Sequence, residues 1–196
     1  MPKFSESEKE IIQDKLYIEG ERLFTLYGVK KVTVDDLVKA AGIAKGSFYA
    51  FYTNKEHLYI DIAGRLQEKM WRELNEFLIE HQSLPPVELT KQCFIKMFSE
   101  LKRYPMLKQA DSETADYLYR KLPQEAIAAH SKDDSRHLIK LQEYGVNFKC
   151  DIELATKVLQ TLSISFLNLQ QDGTQNVVME IILDGVLKEI IGDEND

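Results

Sequence analysis

The chain has 196 residues, of which 44% are hydrophobic and 29% are charged. This composition is typical of a globular protein with a substantial core, built as one domain or as two small ones. No apolar run reaches the roughly 20 residues of a membrane-spanning helix, and the polar N-terminus lacks the apolar region of a secretory signal. We therefore expect a cytoplasmic protein with no membrane partner.

The net charge of −7 is unevenly distributed along the chain. Residues 1–60 hold nine basic and nine acidic residues, so the remainder carries the whole deficit. Within residues 28–57, five lysines stand against three acidic residues. Because the Debye length at physiological salt is about 8 Å, a local basic surface can attract phosphate even on an acidic protein. The charge therefore does not exclude DNA as a partner.

The first predicted helix begins at Ser5, which forms a capping-box pattern with Glu8, and ends just before Gly28. Its apolar residues recur at helical spacing, and Gly20 is expected to allow the close approach of the recognition unit, the helix-turn-helix that follows. The connector at residues 29–32 carries two lysines. These lysines either approach a DNA backbone or belong to a solvated turn.

Residues 33–52 predict a helix-turn-helix. Thr33 and Asp36 form a second capping-box pattern, and Gly42 ends the first helix because glycine adopts the left-handed conformation without strain. The second helix, residues 45–52, is roughly 12 Å long, which matches the width of about 12 Å of the DNA major groove. Its small, basic start and polar outer face favour DNA binding over an ordinary helical hairpin in a core.

Several spaced residues between positions 16 and 59 agree in order and distance with a known pattern. They are Leu23, Phe24, Gly28, Thr33, Leu37, Ala41, Gly42, Ile43, Lys45, Gly46, Ser47, Phe48, Tyr49, Asn54, Lys55, Glu56 and Leu58. On these residues the chain resembles the N-terminal DNA-binding domain of TetR-type repressors. The resemblance is specific, although it covers less than a third of the chain. One departure is Phe51, which stands where many relatives carry a polar residue and which we expect to pack beneath the second helix.

The resemblance and the helical pattern together predict a set of DNA-binding residues. Lys45, Gly46 and Ser47 are expected to meet base edges in the major groove. The residues expected to hold phosphates are Thr33, Tyr49, Tyr52 and Lys55.

A long helix is predicted from Lys55, after the cap Asn54, to about His81. Some 26 residues at 1.5 Å each give roughly 39 Å, which is too long for the N-terminal bundle alone. We interpret this helix as the link between two domains. Residues 1–55 would form the DNA-binding domain, and residues 56–196 would form a helical effector-binding and dimerisation domain.

The remainder of the chain also favours helices, and strand signals are absent. The predicted helical ranges are 86–103, 123–145, 151–171 and 175–191, with a less regular patch at 106–121. The predicted fold is therefore all-α. It has an N-terminal three-helix bundle with the helix-turn-helix, joined by the long helix to a larger helical domain.

The last two predicted helices are apolar on more than one face, so they need more than one partner surface. A second copy of the chain would supply it as an intermolecular four-helix bundle; the alternative is that both helices lie in the monomer core. The expected interface residues are Val158, Leu162, Phe166, Val178, Ile182 and Val186. A homodimer would place two recognition helices about one DNA turn apart or a little more, and so predicts a palindromic operator.

A group of aromatic and methionine side chains lies between the long helix and the predicted dimer helices. The group consists of Trp71, Phe94, Met97, Phe98, Tyr104, Met106 and Tyr117. Such side chains either line an adaptable apolar cavity or form ordinary core. The resemblance implies an effector pocket here, whose occupancy shifts the long helix. The composition favours a hydrophobic or aromatic small molecule, whose identity the sequence leaves open.

Other chemistry has little support in the sequence. Cys93 and Cys150 are interpreted as reduced thiols, with a redox switch as the alternative. His130 and His137 lack a third ligand, so no metal site is expected. No catalytic or phosphate-loop motif is present, so neither enzyme activity nor a cofactor is expected.

The predicted function is a transcriptional regulator, a homodimeric repressor that a small ligand releases from its operator. The alternatives are a dimeric binding module without DNA recognition, and an activator of the same fold.

Overall fold

The secondary structure of the protein is helical. The residues that the computed structural model describes are 4–109, 112–122, 138–169 and 172–192. Within these ranges, the bridge between Phe148 and Ile191 is the one isolated β-type pairing. The all-α prediction is confirmed. None of the helices described here is long and apolar enough to cross a membrane.

The helices are numbered in chain order. They are α1 (Glu6–Tyr27), α2 (Val34–Ala41), α3 (Lys45–Phe48), α4 (Lys55–His81), α5 (Pro86–Glu100), α6 (Pro105–Lys108), α7 (Ser112–Lys121), α8 (Ile152–Leu167) and α9 (Gln175–Ile190). A 3-10 helix, Leu101–Arg103, follows α5, and residues 138–143 are also helical. The first part of the helix predicted at 123–145 lies outside the described residues.

Side-chain caps determine where several helices begin. Ser5 and Glu8 form the predicted capping box of α1, and Thr33 and Asp36 form that of α2. The carboxylate of Asp151 accepts the backbone N–H of Leu154 at 2.8 Å at the start of α8. These caps satisfy backbone donors that have no partner inside the helix. The predicted helix starts are confirmed.

The prediction of an irregular patch at residues 106–121 is wrong. Pro105 opens α6, because its fixed backbone angle suits the first helical position, and α7 follows after a short break. The apolar pattern of α7 is sparse, with Leu118 buried within it and Leu122 buried just beyond its end. A helix with so narrow a buried stripe gives a weak periodic signal.

The chain divides into two compact units. Unit 1 comprises Met1–Glu68 and Tyr104–Gln124, and unit 2 comprises Lys69–Arg103 and Glu125–Asp196. The boundary between the units falls within α4. The predicted division of function after Lys55 stays a prediction.

Unit 1 is built around a close contact between α1 and α4. A Cβ atom placed on Gly20 would lie 2.7 Å from Cδ1 of Ile62 and 3.3 Å from Cδ2 of Leu58. The absence of a side chain at residue 20 therefore lets α1 and α4 approach, whereas the sequence analysis expected the close approach of the helix-turn-helix. The fully buried side chains of this unit include Leu16, Phe24, Leu37, Phe48, Leu58, Ile62 and Met106.

Unit 2 has a core formed by α5, α8 and α9. The ring of Phe98 lies 5.5 Å from that of Phe166 in an edge-to-face arrangement, and 6.5 Å from that of Phe94. At the edge of this core, the ammonium of Lys91 on α5 donates to the carboxylate of Asp184 on α9 at 3.0 Å. Aromatic packing and this ion pair together connect the three helices.

Candidate nucleic-acid interface

The turn between α2 and α3 has the geometry that the sequence predicted. Gly42 adopts φ 64° and ψ 38°, the left-handed region. The N–H of the next residue, Ile43, donates to the carbonyl of Val38 at 3.0 Å and closes the end of α2. Because a Cβ on Gly42 would meet nothing within 4 Å, glycine is required here by the backbone angle rather than by space.

The second helix is shorter than predicted. Regular α-helix covers only Lys45–Phe48, whereas the sequence predicted residues 45–52. Beyond Phe48 the backbone tightens, since Ala50 N–H donates to the Ser47 carbonyl at 3.2 Å and Phe51 N–H to the Phe48 carbonyl at 3.0 Å. Hydrogen bonds from a backbone N–H to the carbonyl three residues earlier, as in a 3-10 helix, are usual where a helix ends. The predicted rod is therefore one helical turn continued by tight turns.

The start of α3 is open to solvent. Lys45, Gly46 and Tyr49 are exposed, and so is Thr33 at the start of α2. Ser47, by contrast, is only 9% exposed, and its neighbour Phe48 is fully buried. The predicted base-edge residues thus share one short segment, with Ser47 the least accessible of the three.

Lys45 forms an ion pair across the helix-turn-helix. Its ammonium lies 2.9 Å from one carboxylate oxygen of Asp35 and 3.1 Å from the other. This hydrogen bond raises the pKa of Lys45, so the lysine carries its positive charge at any physiological pH. Asp35 belongs to the first turn of α2 and is ten residues from Lys45 in the chain.

Tyr52 was predicted to face solvent and contact phosphate, but its side chain lies inside the protein. It is buried, and its hydroxyl donates to the Asp61 carboxylate at 2.6 Å. Burial and this hydrogen bond raise the pKa of Tyr52. Asp61 also lies 3.3 Å from the guanidinium of Arg65. The hydroxyl is thus used inside unit 1, and the phosphate contact of Tyr52 stays a prediction.

Lys55 likewise has its ammonium turned into the protein. The ammonium donates to the carbonyls of Val29 at 2.7 Å, Lys30 at 3.0 Å and Val32 at 2.6 Å. An ammonium has three donors, and these bonds use all three. Burial lowers the pKa of Lys55, opposed by the nearby carboxylate of Glu56. The predicted phosphate contact is therefore replaced by a contact that fixes the connector between α1 and α2.

Phe51 is half-buried, and its ring stacks on that of Phe4 with centroids 6.3 Å apart. It packs against the segment that precedes α1. This position agrees with the expectation that Phe51 serves packing rather than a phosphate contact.

A contact between α7 and the helix-turn-helix region was missed by the sequence analysis. The Tyr117 hydroxyl donates to the Glu56 carboxylate, and the Lys30 ammonium lies 2.5 Å from the Glu113 carboxylate. The ammonium groups of Lys30 and Lys55 lie 5.9 and 6.0 Å from the centre of the Tyr117 ring. Tyr117 was predicted to line a ligand pocket. Its hydroxyl is instead committed to Glu56, a buried acid that needs a donor.

A groove of about 590 Å³ runs beside α2. Lys31 and Lys39 lie at this groove and are exposed. Within the described parts of the chain, neither lysine belongs to an ion pair. Of the five lysines in residues 28–57, Lys30, Lys45 and Lys55 already contact acidic or carbonyl groups. Lys31 and Lys39 therefore remain for contacts with phosphates, which a count of charges in the sequence could not show.

The residues predicted for an effector pocket are divided between the two units. Trp71, Phe94, Met97 and Phe98 belong to unit 2, and Tyr104, Met106 and Tyr117 belong to unit 1. Tyr104 and Met106 are buried at 3% and 0% exposure. These two side chains are therefore part of the core of unit 1.

The predicted dimer residues differ in accessibility. Phe166 is buried against Phe98 in the same chain, and its assignment to the interface stays a prediction. The other five are half-buried: Val158, Leu162, Val178, Ile182 and Val186. Large apolar side chains that were not among the predicted interface residues are exposed on α8 and α9. They are Leu154, Ile164, Val177 and Ile181.

No group of three or more His, Cys, Asp or Glu side chains that could hold a metal ion occurs in the described part of the chain. His130 and His137 lie outside it. Both cysteines are free thiols.

Comparisons with known proteins bear on this region and on the fold. The family model described as "Bacterial regulatory proteins, tetR family" matches residues 19–62. YhgD, an HTH-type transcriptional regulator of Bacillus subtilis (strain 168), is 26% identical over 162 residues, which cover 80% of this chain and 83% of YhgD. A TetR-family regulator from Haemophilus influenzae RD has a TM-score of 0.58 at 18% identity, over 92% of this chain and 99% of that chain. RolR in complex with resorcinol has a TM-score of 0.62 at 19% identity, over 92% and 90%.

The family match spans the parts of unit 1 described above, from the close contact at Gly20 through the helix-turn-helix to Ile62. The sequence relative and the similar folds belong to transcriptional regulators, which are not enzymes. Residues 19–62 therefore match the tetR family of bacterial regulatory proteins, and the chain is similar to transcriptional regulators over most of its length.

Proposed function

We propose that the protein is a homodimeric repressor that binds a palindromic operator and leaves it when a small hydrophobic or aromatic molecule binds. The observation that carries this proposal is the exposed, basic start of α3 in a family-matched helix-turn-helix. As a cytoplasmic regulator it would act directly on chromosomal DNA. Residues 1–55 would bind DNA, and residues 56–196 would bind the effector and the second subunit.

In this proposal, Lys45, Gly46 and Ser47 meet base edges in the major groove. Thr33 and Tyr49 hold phosphates through their hydroxyl groups. The exposure of Thr33, Lys45, Gly46 and Tyr49 supports this division. Ser47 would contribute through the small accessible part of its side chain.

We add Lys31 and Lys39 as phosphate contacts, because both are exposed beside α2 and neither belongs to an ion pair in the described structure. Tyr52 and Lys55 are assigned to positioning. Their polar atoms already bind Asp61 and the carbonyls of the connector.

The exposed apolar side chains of α8 and α9 support a dimer. Val177 and Ile181 are 58% and 66% exposed, and they are four residues apart on one face of α9. Apolar surface of this kind marks interaction sites in proteins. Two-fold pairing of α8 and α9 would bury it in a four-helix bundle. The five half-buried residues of the predicted interface would complete that surface.

The class of the effector is supported by composition and by one relative. Unit 2 contains the neighbouring rings of Phe94, Phe98 and Phe166, which are suited to flat apolar ligands. RolR, a protein of similar fold, binds resorcinol. We therefore infer an aromatic or other hydrophobic small molecule, without naming the compound.

The proposal is tested by selecting bound fragments from random and genomic DNA, followed by gel-shift assays over a range of salt concentrations. A repressor dimer should enrich an inverted repeat whose half-sites are about one DNA turn apart or a little more. The absence of any retained DNA at low salt would favour the binding module without DNA recognition. Reporter transcription with and without the operator then distinguishes a repressor from an activator.

A further inference from the structure

The ion pair of Asp35 and Lys45 joins the first turns of α2 and α3. Two oxygens of Asp35 lie 2.9 and 3.1 Å from the Lys45 ammonium. Both side chains remain open to solvent, at 71% exposure for Asp35 and 52% for Lys45. A hydrogen-bond acceptor and a donor are thus held side by side on the surface proposed to face DNA.

Asp35 has a limited role in the fold, since its charge lies in the first turn of α2, where the helix dipole favours it only modestly. The cap of α2 is formed by Thr33 and Asp36, so Asp35 is not needed to satisfy backbone donors. An exposed ion pair contributes little to stability. A carboxylate near DNA also repels phosphates and weakens binding that does not depend on sequence. These costs, set against a limited structural role, favour a role of Asp35 in base recognition.

The base edges in the major groove suggest what it recognises. A C·G pair presents the cytosine N4 donor beside the guanine acceptors O6 and N7, and guanine offers two adjacent acceptors to a lysine. Aspartate accepts hydrogen bonds from cytosine N4. The acceptor and donor of the Asp35–Lys45 pair complement this arrangement.

We propose that Asp35 is a specificity-determining residue, which accepts a hydrogen bond from cytosine N4 while Lys45 donates to the guanine of the same base pair. The inference rests on the proposed function, in which Lys45 meets base edges. It makes the pair, rather than Lys45 alone, the unit that selects one C·G position in each half-site.

The test compares duplexes selected from a random library by the full-length wild type, Asp35→Asn and Asp14→Asn. Asp14 is an exposed acid on α1, so its variant makes the same change of charge away from the pair. The wild type and Asp14→Asn should select the same C·G position. Asp35→Asn should lose preference at that position alone, by about 5- to 150-fold, while its affinity for unrelated DNA rises. Equal thermal unfolding midpoints verify that the variants are folded.

The outcomes separate two failures. If Asp35→Asn selects the same sequence as the wild type and binds all DNA more tightly, Asp35 acts by charge alone and the inference is overturned. If the wild type selects no sequence at all, the proposed function fails and the inference fails with it. Lys45→Ala should lose the same position as Asp35→Asn, and loss at a different position would also overturn the pairing.

Discussion

The ammonium of Lys55 lies 2.6 Å from the carbonyl oxygen of Val32. Together with the carbonyls of Val29 and Lys30, this contact fixes the connector between α1 and α2 to the first residue of α4. A single lysine therefore determines how the first helix of the motif is presented. From the sequence alone, Lys55 was expected to contact a phosphate.

Replacing Lys55 should destabilise the protein rather than weaken a phosphate contact. Lys55→Met removes three hydrogen bonds from a charged donor, and we expect the free energy of unfolding to fall by about 2 kcal/mol. DNA affinity should decrease for every sequence, whereas the slope of log affinity against log salt should stay unchanged.

The control for Lys55 is Lys31→Met, which replaces an exposed lysine at the groove beside α2. This variant should keep the stability of the wild type and reduce the salt slope by about one. Urea unfolding and gel shifts at several salt concentrations measure both quantities. A reduced slope for Lys55→Met at unchanged stability would show that its ammonium binds phosphate after all.

Tyr117→Phe should loosen α7 from the helix-turn-helix region. The variant leaves the buried carboxylate of Glu56 without the Tyr117 donor, which costs about 1–3 kcal/mol. Hydrogen exchange should become faster in α7 and in the first turn of α4. Tyr119→Phe is the matched control because Tyr119 is 59% exposed. Equal exchange in the two variants would contradict the structural role of the Tyr117 hydroxyl.

The contact between α1 and α4 limits the size of residue 20. Gly20→Leu would force a large side chain against Leu58 and Ile62, and overpacking of this kind costs about 1–3 kcal/mol. Gly20→Ala should be tolerated, since the terminal carbon of Ile62 can rotate away. Gly64→Leu on α4 meets open space and should leave stability unchanged or slightly higher. Thermal unfolding of the three variants checks this order.

Ile181→Glu should convert the proposed dimer to a monomer without unfolding the chain. Ile181 is 66% exposed, so a charge there is harmless in the monomer but unpaired in a bundle. Sedimentation velocity gives the oligomeric state, and circular dichroism verifies the fold. Ile18→Glu, on an exposed position of α1, should leave the oligomeric state unchanged. A dimer that survives Ile181→Glu would place the interface elsewhere.

The two thiols should differ strongly in reactivity. Cys93 is buried, and burial raises the pKa of its thiol to about 12, so almost no thiolate is present at pH 8. Cys150 is partly accessible. Native protein should therefore react with one equivalent of a thiol reagent, and Cys150→Ser should react with almost none. Rapid labelling of Cys93 would revive the redox interpretation.

The parts of the fold that local chemistry controls were predictable. A hydroxyl followed three residues later by a carboxylate specified the starts of α1 and α2, and Gly42 specified the end of α2. These signals depend on residues within one helical turn of each other. The weak apolar stripe of α7 and the early end of α3 carried no such signal, because tertiary contacts decide them.

The assignment of DNA-binding residues shows the same limit. The segment containing Lys45 and Gly46 was located from the helical pattern together with the resemblance to TetR-type repressors. Which polar atoms stay free could not be deduced. The hydroxyl of Tyr52 and the ammonium of Lys55 are used inside the protein by Asp61 and the connector carbonyls.

The sequence by itself determined an all-α chain with a TetR-type helix-turn-helix, because caps, a left-handed glycine and helical periodicity act over a few residues. Only the tertiary structure decided which charges remain free. Asp35 is ten residues from Lys45 in the chain but 2.9 Å away in space, and Glu113 is 83 residues from Lys30. Hydrogen bonds and ion pairs depend on distances of about 3 Å, and such distances are fixed only when the helices have packed.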